Sequence, residues 1–202
     1  MRPHWPCKPR GRASSPGGGR IDLIVDPFPV EHNKAVEAAV RGGLAAGQEV
    51  LPLVASESMS PLIRSGDRVR VGRAEPQELR PGDIVLVASG DGSLVTHRYI
   101  GTDRVAGKTF LHTKGDRSLV LDPPWPAAGL LGRIEGVIRG AEELDISRGR
   151  GYLVHRLLAL LMIGGRAWIN RLPGDLTRRG CYRPLRWLAQ LLAWLAWLGA
   201  SY

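Results

Sequence analysis

The residues best suited to chemistry are three serines spaced two apart, Ser56, Ser58 and Ser60, which close the apolar run 50–55 and are followed directly by Pro61. Proline blocks a regular continuation, so a hydroxyl is left where a strand fixes its position and the following turn leaves one face open. That placement suits a nucleophile. Ser-x-Pro is also ordinary turn chemistry, so Ser58 depends on what lies downstream. There, His97 sits inside the strand-like run 95–101, and Asp116 and Asp122 follow the strand-like run 109–113. A neutral imidazole, with an unperturbed pKa of about 6.5, can take a serine proton near neutral pH. A carboxylate behind it holds the tautomer and stabilises the imidazolium that forms. Either aspartate could be that carboxylate, since Asp116 could equally shape a turn. Ser60, Ser65, His112 and His155 read as structural.

The elements that must position these groups are strands. Runs rich in Val, Ile and Leu at 50–55, 68–71, 83–88, 94–100, 109–113 and 131–138 are separated by Gly, Pro and Asp turns. Ser89-Gly90-Asp91-Gly92-Ser93 between two of them is a hairpin signal. Short strands at this spacing predict a mainly β fold, a small coiled β-barrel or sandwich, over residues 50–147. Ahead of it, 21–25 reads as a strand and 31–47 as a helix interrupted by Gly42-Gly43, leading in over residues 21–49. Residues 1–20, with five basic residues, no acid and repeated proline and glycine, read as a disordered tail. That tail lacks the apolar centre of a secretory signal.

In order along the chain, Ser58-Met59-Ser60-Pro61, Gly66-Asp67, Pro81-Gly82-Asp83-Ile84-Val85, His97-Arg98-Tyr99-Ile100-Gly101, Thr113-Lys114-Gly115-Asp116, Asp122 and Leu131-Gly132-Arg133 resemble the signal peptidase I family. The match is to the branch that uses histidine as base, and it covers roughly residues 50–140. The resemblance implies a serine endopeptidase that cleaves a signal, leader or precursor peptide. It makes Ser58 the nucleophile, His97 the general base, Asp122 the orienting acid and Ser56 a hydroxyl of the oxyanion hole. It also implies small side chains at the two specificity positions before the cut. Glu57 stands where that family has glycine, and Arg117 where it has a small amide. The family's membrane-spanning helix ahead of the nucleophile has no counterpart in residues 1–55. The other reading is a catalytically inactive module of the same fold that holds a peptide beside its sheet.

The formal charge of +9 suggests nucleic acid until it is divided along the chain. From residue 148 onward there are nine arginines against Asp175 alone, and the tail adds five more basic residues, so the middle segment 21–147 is net acidic. The basic character belongs to the ends, which argues against a nucleic-acid partner and suits an anionic lipid surface at least as well. SOS-repressor autoproteases share a related protease fold, yet they carry two or more DNA-reading helices before it, and this chain shows one broken helix there. Cys7 and Cys181 have neither metal nor redox spacing, and the five histidines form no ligand pair, so no metal or cofactor is expected. The cysteines read as free thiols in a reducing compartment.

Residues 148–202 form a basic, apolar helical extension. A segment at 152–163 is stopped by Gly164-Gly165, and a second at 185–200 carries Trp187, Trp194 and Trp197 after four arginines. Each is shorter than the roughly 20 residues of a spanning helix. Insertion at a membrane interface is expected, with packing on the barrel or on a second copy as the alternative. With no export signal in the tail, the protease segment is expected on the cytoplasmic side, membrane-associated or, alternatively, soluble.

Overall fold

The computed structural model describes residues 20–24, 30–90, 93–118, 120–169 and 175–198. Among the described residues the chain is mainly β, a curled and mostly antiparallel sheet with three α-helices. In order it runs β1 (Arg20–Ile24), α1 (Val30–Ala45), β2 (Glu49–Leu53), β3 (Arg68–Gly72), β4 (Ile84–Ala88), β5 (Leu94–Val105), β6 (Lys108–Lys114), β7 (Trp125–Pro126), β8 (Leu130–Arg139), β9 (Glu142–Asp145), α2 (Gly149–Ile169) and α3 (Asp175–Leu198). The spatial order is β1-β2-β3-β8-β4-β5-β6-β7, with β9 beside β8, and β1 joins β2 in parallel. The tail 1–19, Cys7 and the hairpin residues Asp91 and Gly92 lie outside the described residues.

The strand β4 shows why an apolar run becomes a central strand. All of Ile84 to Ala88 is buried. Ile84, Leu86 and Ala88 point into the main core, while Val85 and Val87 point into a second cluster with Tyr99, Leu111 and Leu130. A strand covered on both faces has no polar alternation to show. The main core also takes Met59, Leu62 and Ile63, each almost completely buried, so the turn that follows Ser58 is pinned from beneath.

Two Gly-Asp turns are built alike. Gly66 and Gly82 both have positive φ, 89° and 101°. The aspartate after each accepts a backbone N–H three residues back, Arg64 to Asp67 at 2.8 Å and Arg80 to Asp83 at 2.9 Å. Asp67 is further held by Arg139 through two hydrogen bonds of 2.8 and 2.7 Å, and the Arg139 guanidinium lies 4.2 Å from the centre of the Trp197 ring. The end of α3 is thereby fastened to the loop that carries the serines.

Three expectations are corrected. The helix α1 runs unbroken through Gly42 and Gly43, because Val36, Val40 and Leu44 recur at every turn and bury against the sheet. A helical glycine costs only about 1 kcal/mol relative to alanine, less than burying those side chains returns. For the same reason α2 does not stop at Gly164-Gly165 but continues to Ile169, anchored by the buried Leu158 and Met162. The last helix begins well before residue 185 and contains Pro184. The short strands β7 and β9 were not expected at all.

Candidate active site

The loop from β2 to β3 carries the serines. Val54 donates to the Asp67 carbonyl at 2.8 Å and Gly66 donates back to Val54 at 2.8 Å, which closes the loop like a clasp. Within it, Ser60 donates to the Glu57 carbonyl at 3.1 Å and Ile63 to Met59 at 3.2 Å. The Glu57 carboxylate accepts the Ser65 N–H at 3.2 Å, so it caps this turn. The residue where the resembled family has glycine therefore has a local structural use.

His97 is set by the way β5 changes partner. Residues 94–98 pair with β4, and pairing with β6 takes over at Arg98, with a register shift near Tyr99. Successive side chains of a strand leave opposite faces, so His97 and Arg98 meet different surroundings. His97 Nε2 is 3.0 Å from Ser58 Oγ, and His97 Nδ1 is 2.6 Å from Asp122 Oδ2. With Nδ1–H donating to the carboxylate, Nε2 is left as the acceptor for the serine hydroxyl. Ser56 Oγ lies 3.1 Å from Ser58 Oγ. Ser58, His97 and Asp122 thus stand in one hydrogen-bonded row with Ser56 beside it.

Asp122 is placed by backbone and side chain together. Its N–H donates to the Thr113 carbonyl at 2.9 Å, and Thr113 Oγ1 donates to Oδ2 at 2.6 Å. Trp125 Nε1–H in turn donates to Thr113 Oγ1 at 2.7 Å. Burial by itself would raise the Asp122 carboxyl, but the hydrogen bonds from His97 and Thr113, with the charges of His97 and Lys114, hold it below the usual 3.8. Stability from this group is therefore present above its unfolded pKa and is lost as pH falls through the lower folded value. Thr113 entered the sequence reading only as the first residue of the Thr113-Lys114-Gly115-Asp116 motif, without a role of its own, and Trp125 was not singled out. Thr113→Val keeps the shape and deletes one hydrogen bond to a charge. We expect it to raise the Asp122 pKa and to lower any turnover that this row supports by roughly tenfold; an unchanged pH profile and rate would contradict this role.

Asp116, the other candidate for the orienting acid, is turned away from His97. Its carboxylate receives Arg98 Nε at 2.7 Å and Nη2 at 2.6 Å, a buried two-bond pair. Arg98 also donates to the Gly82 carbonyl at 2.7 Å and approaches His155 Nδ1 of α2 at 3.3 Å. The turn after Asp116 reaches Ser58 directly, because Arg117 N–H donates to the Ser58 carbonyl at 2.9 Å. At Gly115 a Cβ would stand 3.1 Å from both His97 Nε2 and the Ser58 carbonyl oxygen, so a side chain here would have to push one of them back by a few tenths of an ångström.

His155 is buried on α2. Burial, then the charges of Arg98 and Arg156, lower its pKa from 6.5 to about 3, so it folds in as a neutral acceptor for Arg98. A depressed histidine favours folding above its unfolded pKa, and that contribution drains away as pH falls from 6.5 toward 3. We expect unfolding free energy of the wild type to fall more steeply with acid over that window than that of His155→Gln, by up to about 1 kcal/mol per pH unit. Urea titrations at several pH values would read it, and parallel slopes would refute it.

A cleft of about 310 Å³ opens beside Ser58 and His97. Its walls are residues 52–56 and 94–97, with Val69 and Leu86 adding apolar surface. Among the described residues, no group of His, Cys, Asp and Glu side chains could hold a metal ion. No family model matches the chain, and no curated protein matches it.

Proposed function

We propose that this chain is a serine endopeptidase of the signal peptidase I type, acting on a leader, signal or precursor peptide through an acyl-enzyme. The observation that carries the reading is the row Asp122, His97, Ser58, at 2.6 and 3.0 Å, opening on an apolar cleft. Ser58 Oγ attacks the scissile carbonyl while His97 Nε2 takes its proton, and Asp122 stabilises the imidazolium. His97 then gives the proton to the leaving amine, and water frees the acyl group by the reverse use of the same groups. The Ser58 N–H and the Ser56 hydroxyl, which lies 3.1 Å from Ser58 Oγ, would serve as donors to the developing oxyanion, and one such donor is typically worth about 3 kcal/mol.

The cleft also suggests how a peptide would lie. The backbone at 94–97 pairs with β4 on one side, and β6 joins only from Arg98. An extended peptide added there would run between 94–97 and 52–56, gaining main-chain hydrogen bonds and dropping alternate side chains toward Leu53, Val69 and Leu86. Apolar residues of modest size fit that lining.

The test is mass spectrometry of a peptide library, including short apolar leaders ending in Ala-x-Ala, combined with labelling by a fluorophosphonate that acylates activated serines. Cleavage together with a label mapped to Ser58 supports the reading. Retention of particular peptides with neither cleavage nor label would point instead to a peptide-binding module.

A further inference from the structure

We propose that α2 and α3 dock on an anionic lipid surface, lying in the interface without crossing it. This goes beyond the peptidase reading and does not depend on it. Among the residues whose burial is described, each helix turns one side to the fold. Leu158 and Met162 of α2 and Ala189, Ala196 and Trp197 of α3 belong to the main core. Among the same residues, the opposite sides carry large apolar side chains that are exposed. Leu153, Leu157 and Leu160 recur at helical spacing along α2, with Leu160 70% exposed, and Trp187, Leu191 and Trp194 repeat that spacing along α3, with Trp187 76% exposed. A helix resting on water carries polar side chains at those positions.

Two observations choose the occupant. No helix among the described residues is long and apolar enough to cross a membrane, which leaves a helix that lies along a surface. Exposed indoles and leucines beside arginines are the composition that settles at the headgroup boundary. The second observation is charge. Residues 148–202 hold nine arginines against Asp175 alone. A second copy of the chain would bring that positive charge against itself, whereas lipid phosphate is its complement.

Docking has a consequence for the candidate site. Met162, Ala189 and Gln190 line one small crevice with Ser60, Pro61 and Arg117, so the docked helices adjoin the serine turn. On the peptidase reading, peptides held at a membrane surface are then the favoured substrates.

The experiment is flotation of the full chain with phosphatidylcholine vesicles, with and without phosphatidylglycerol, alongside quenching of tryptophan fluorescence by phosphatidylcholine brominated along its acyl chains. We expect flotation and quenching on the anionic vesicles, and partitioning at least about tenfold weaker on pure phosphatidylcholine. Trp187→Ser combined with Trp194→Ser, and separately Leu153→Ser combined with Leu160→Ser, should each weaken anionic partitioning by about tenfold or more. All four positions are exposed, so folding is checked simply by circular dichroism. Ser58→Ala should float like the wild type, which separates lipid docking from peptide cleavage. The proposal is overturned by absence of flotation, by flotation that ignores both pairs of substitutions, or by a lipid-free dimer that the tryptophan substitutions dissolve.

Discussion

Ser58→Ala is expected to lower kcat on the best library peptide by about 10⁶-fold, and Asp122→Asn by about 10⁴-fold, with secondary structure unchanged in both. The two losses differ because the two groups act differently. On the proposed mechanism Ser58 forms the covalent bond, so its loss would leave only binding and oxyanion stabilisation. Asp122 accepts the His97 Nδ1–H at 2.6 Å and thereby leaves Nε2 free to accept from Ser58 at 3.0 Å. An asparagine amide can instead donate toward Nδ1, which moves the ring proton to Nε2 and removes the base that faces the serine. Oδ2 of Asp122 also receives the Thr113 hydroxyl at 2.6 Å, a donor the amide nitrogen cannot accept, so the asparagine must choose which contact to satisfy. Steady-state kinetics on matched, folded protein gives the answer. An Asp122→Asn chain within about tenfold of the wild type would remove the orienting role, and cleavage by Ser58→Ala would remove the nucleophile.

The parts of this arrangement that were legible in sequence are those set by local pattern. Short apolar runs between Gly, Pro and Asp turns gave six of the strands, because a buried face needs Val, Ile and Leu whatever its partners are. Ser58 and His97 could be marked because each stands at a strand end or within a strand, in an order that resembles a known family. Asp116 and Asp122 could not be told apart, since both follow β6 and the difference lies in which way the turn folds back. The structure separates them: Asp122 N–H returns to Thr113, while Asp116 meets a buried Arg98 from another strand. The contact between Thr113 and Trp125 was invisible for the same reason, because it joins β6 to the two-residue strand β7. The glycine pairs misled in the opposite direction. Propensity marks Gly42-Gly43 and Gly164-Gly165 as breaks, and core packing on either side overrides it.

Asp116→Asn is expected to destabilise the fold by about 3 to 5 kcal/mol. Arg98 is 1% exposed and its guanidinium gives two hydrogen bonds to the Asp116 carboxylate. With the carboxylate gone, a positive charge is left buried, and its remaining neighbours are the Gly82 carbonyl and the neutral ring of His155, neither of which carries the opposite charge. The damage should spread in two directions. One is the turn whose Arg117 N–H holds the Ser58 carbonyl, so Ser58 loses that support. The other is α2, which approaches so closely that a Cβ at Gly82 would stand 2.8 Å from the Ala159 methyl. Replacing both charges by apolar groups, Arg98→Met with Asp116→Leu, removes the uncompensated charge and should regain most of the lost stability. That rescue distinguishes charge burial from mere disruption of packing. Urea unfolding of the single and double variants measures it: a single variant within about 1 kcal/mol of the wild type would show that Arg98 finds compensation elsewhere. A double variant as unstable as the single one would instead assign the cost to the lost turn. Activity should stay low in the double variant even where stability returns, because its two apolar replacements cannot re-form the ion pair that fixes the Arg117 turn against the carbonyl of Ser58.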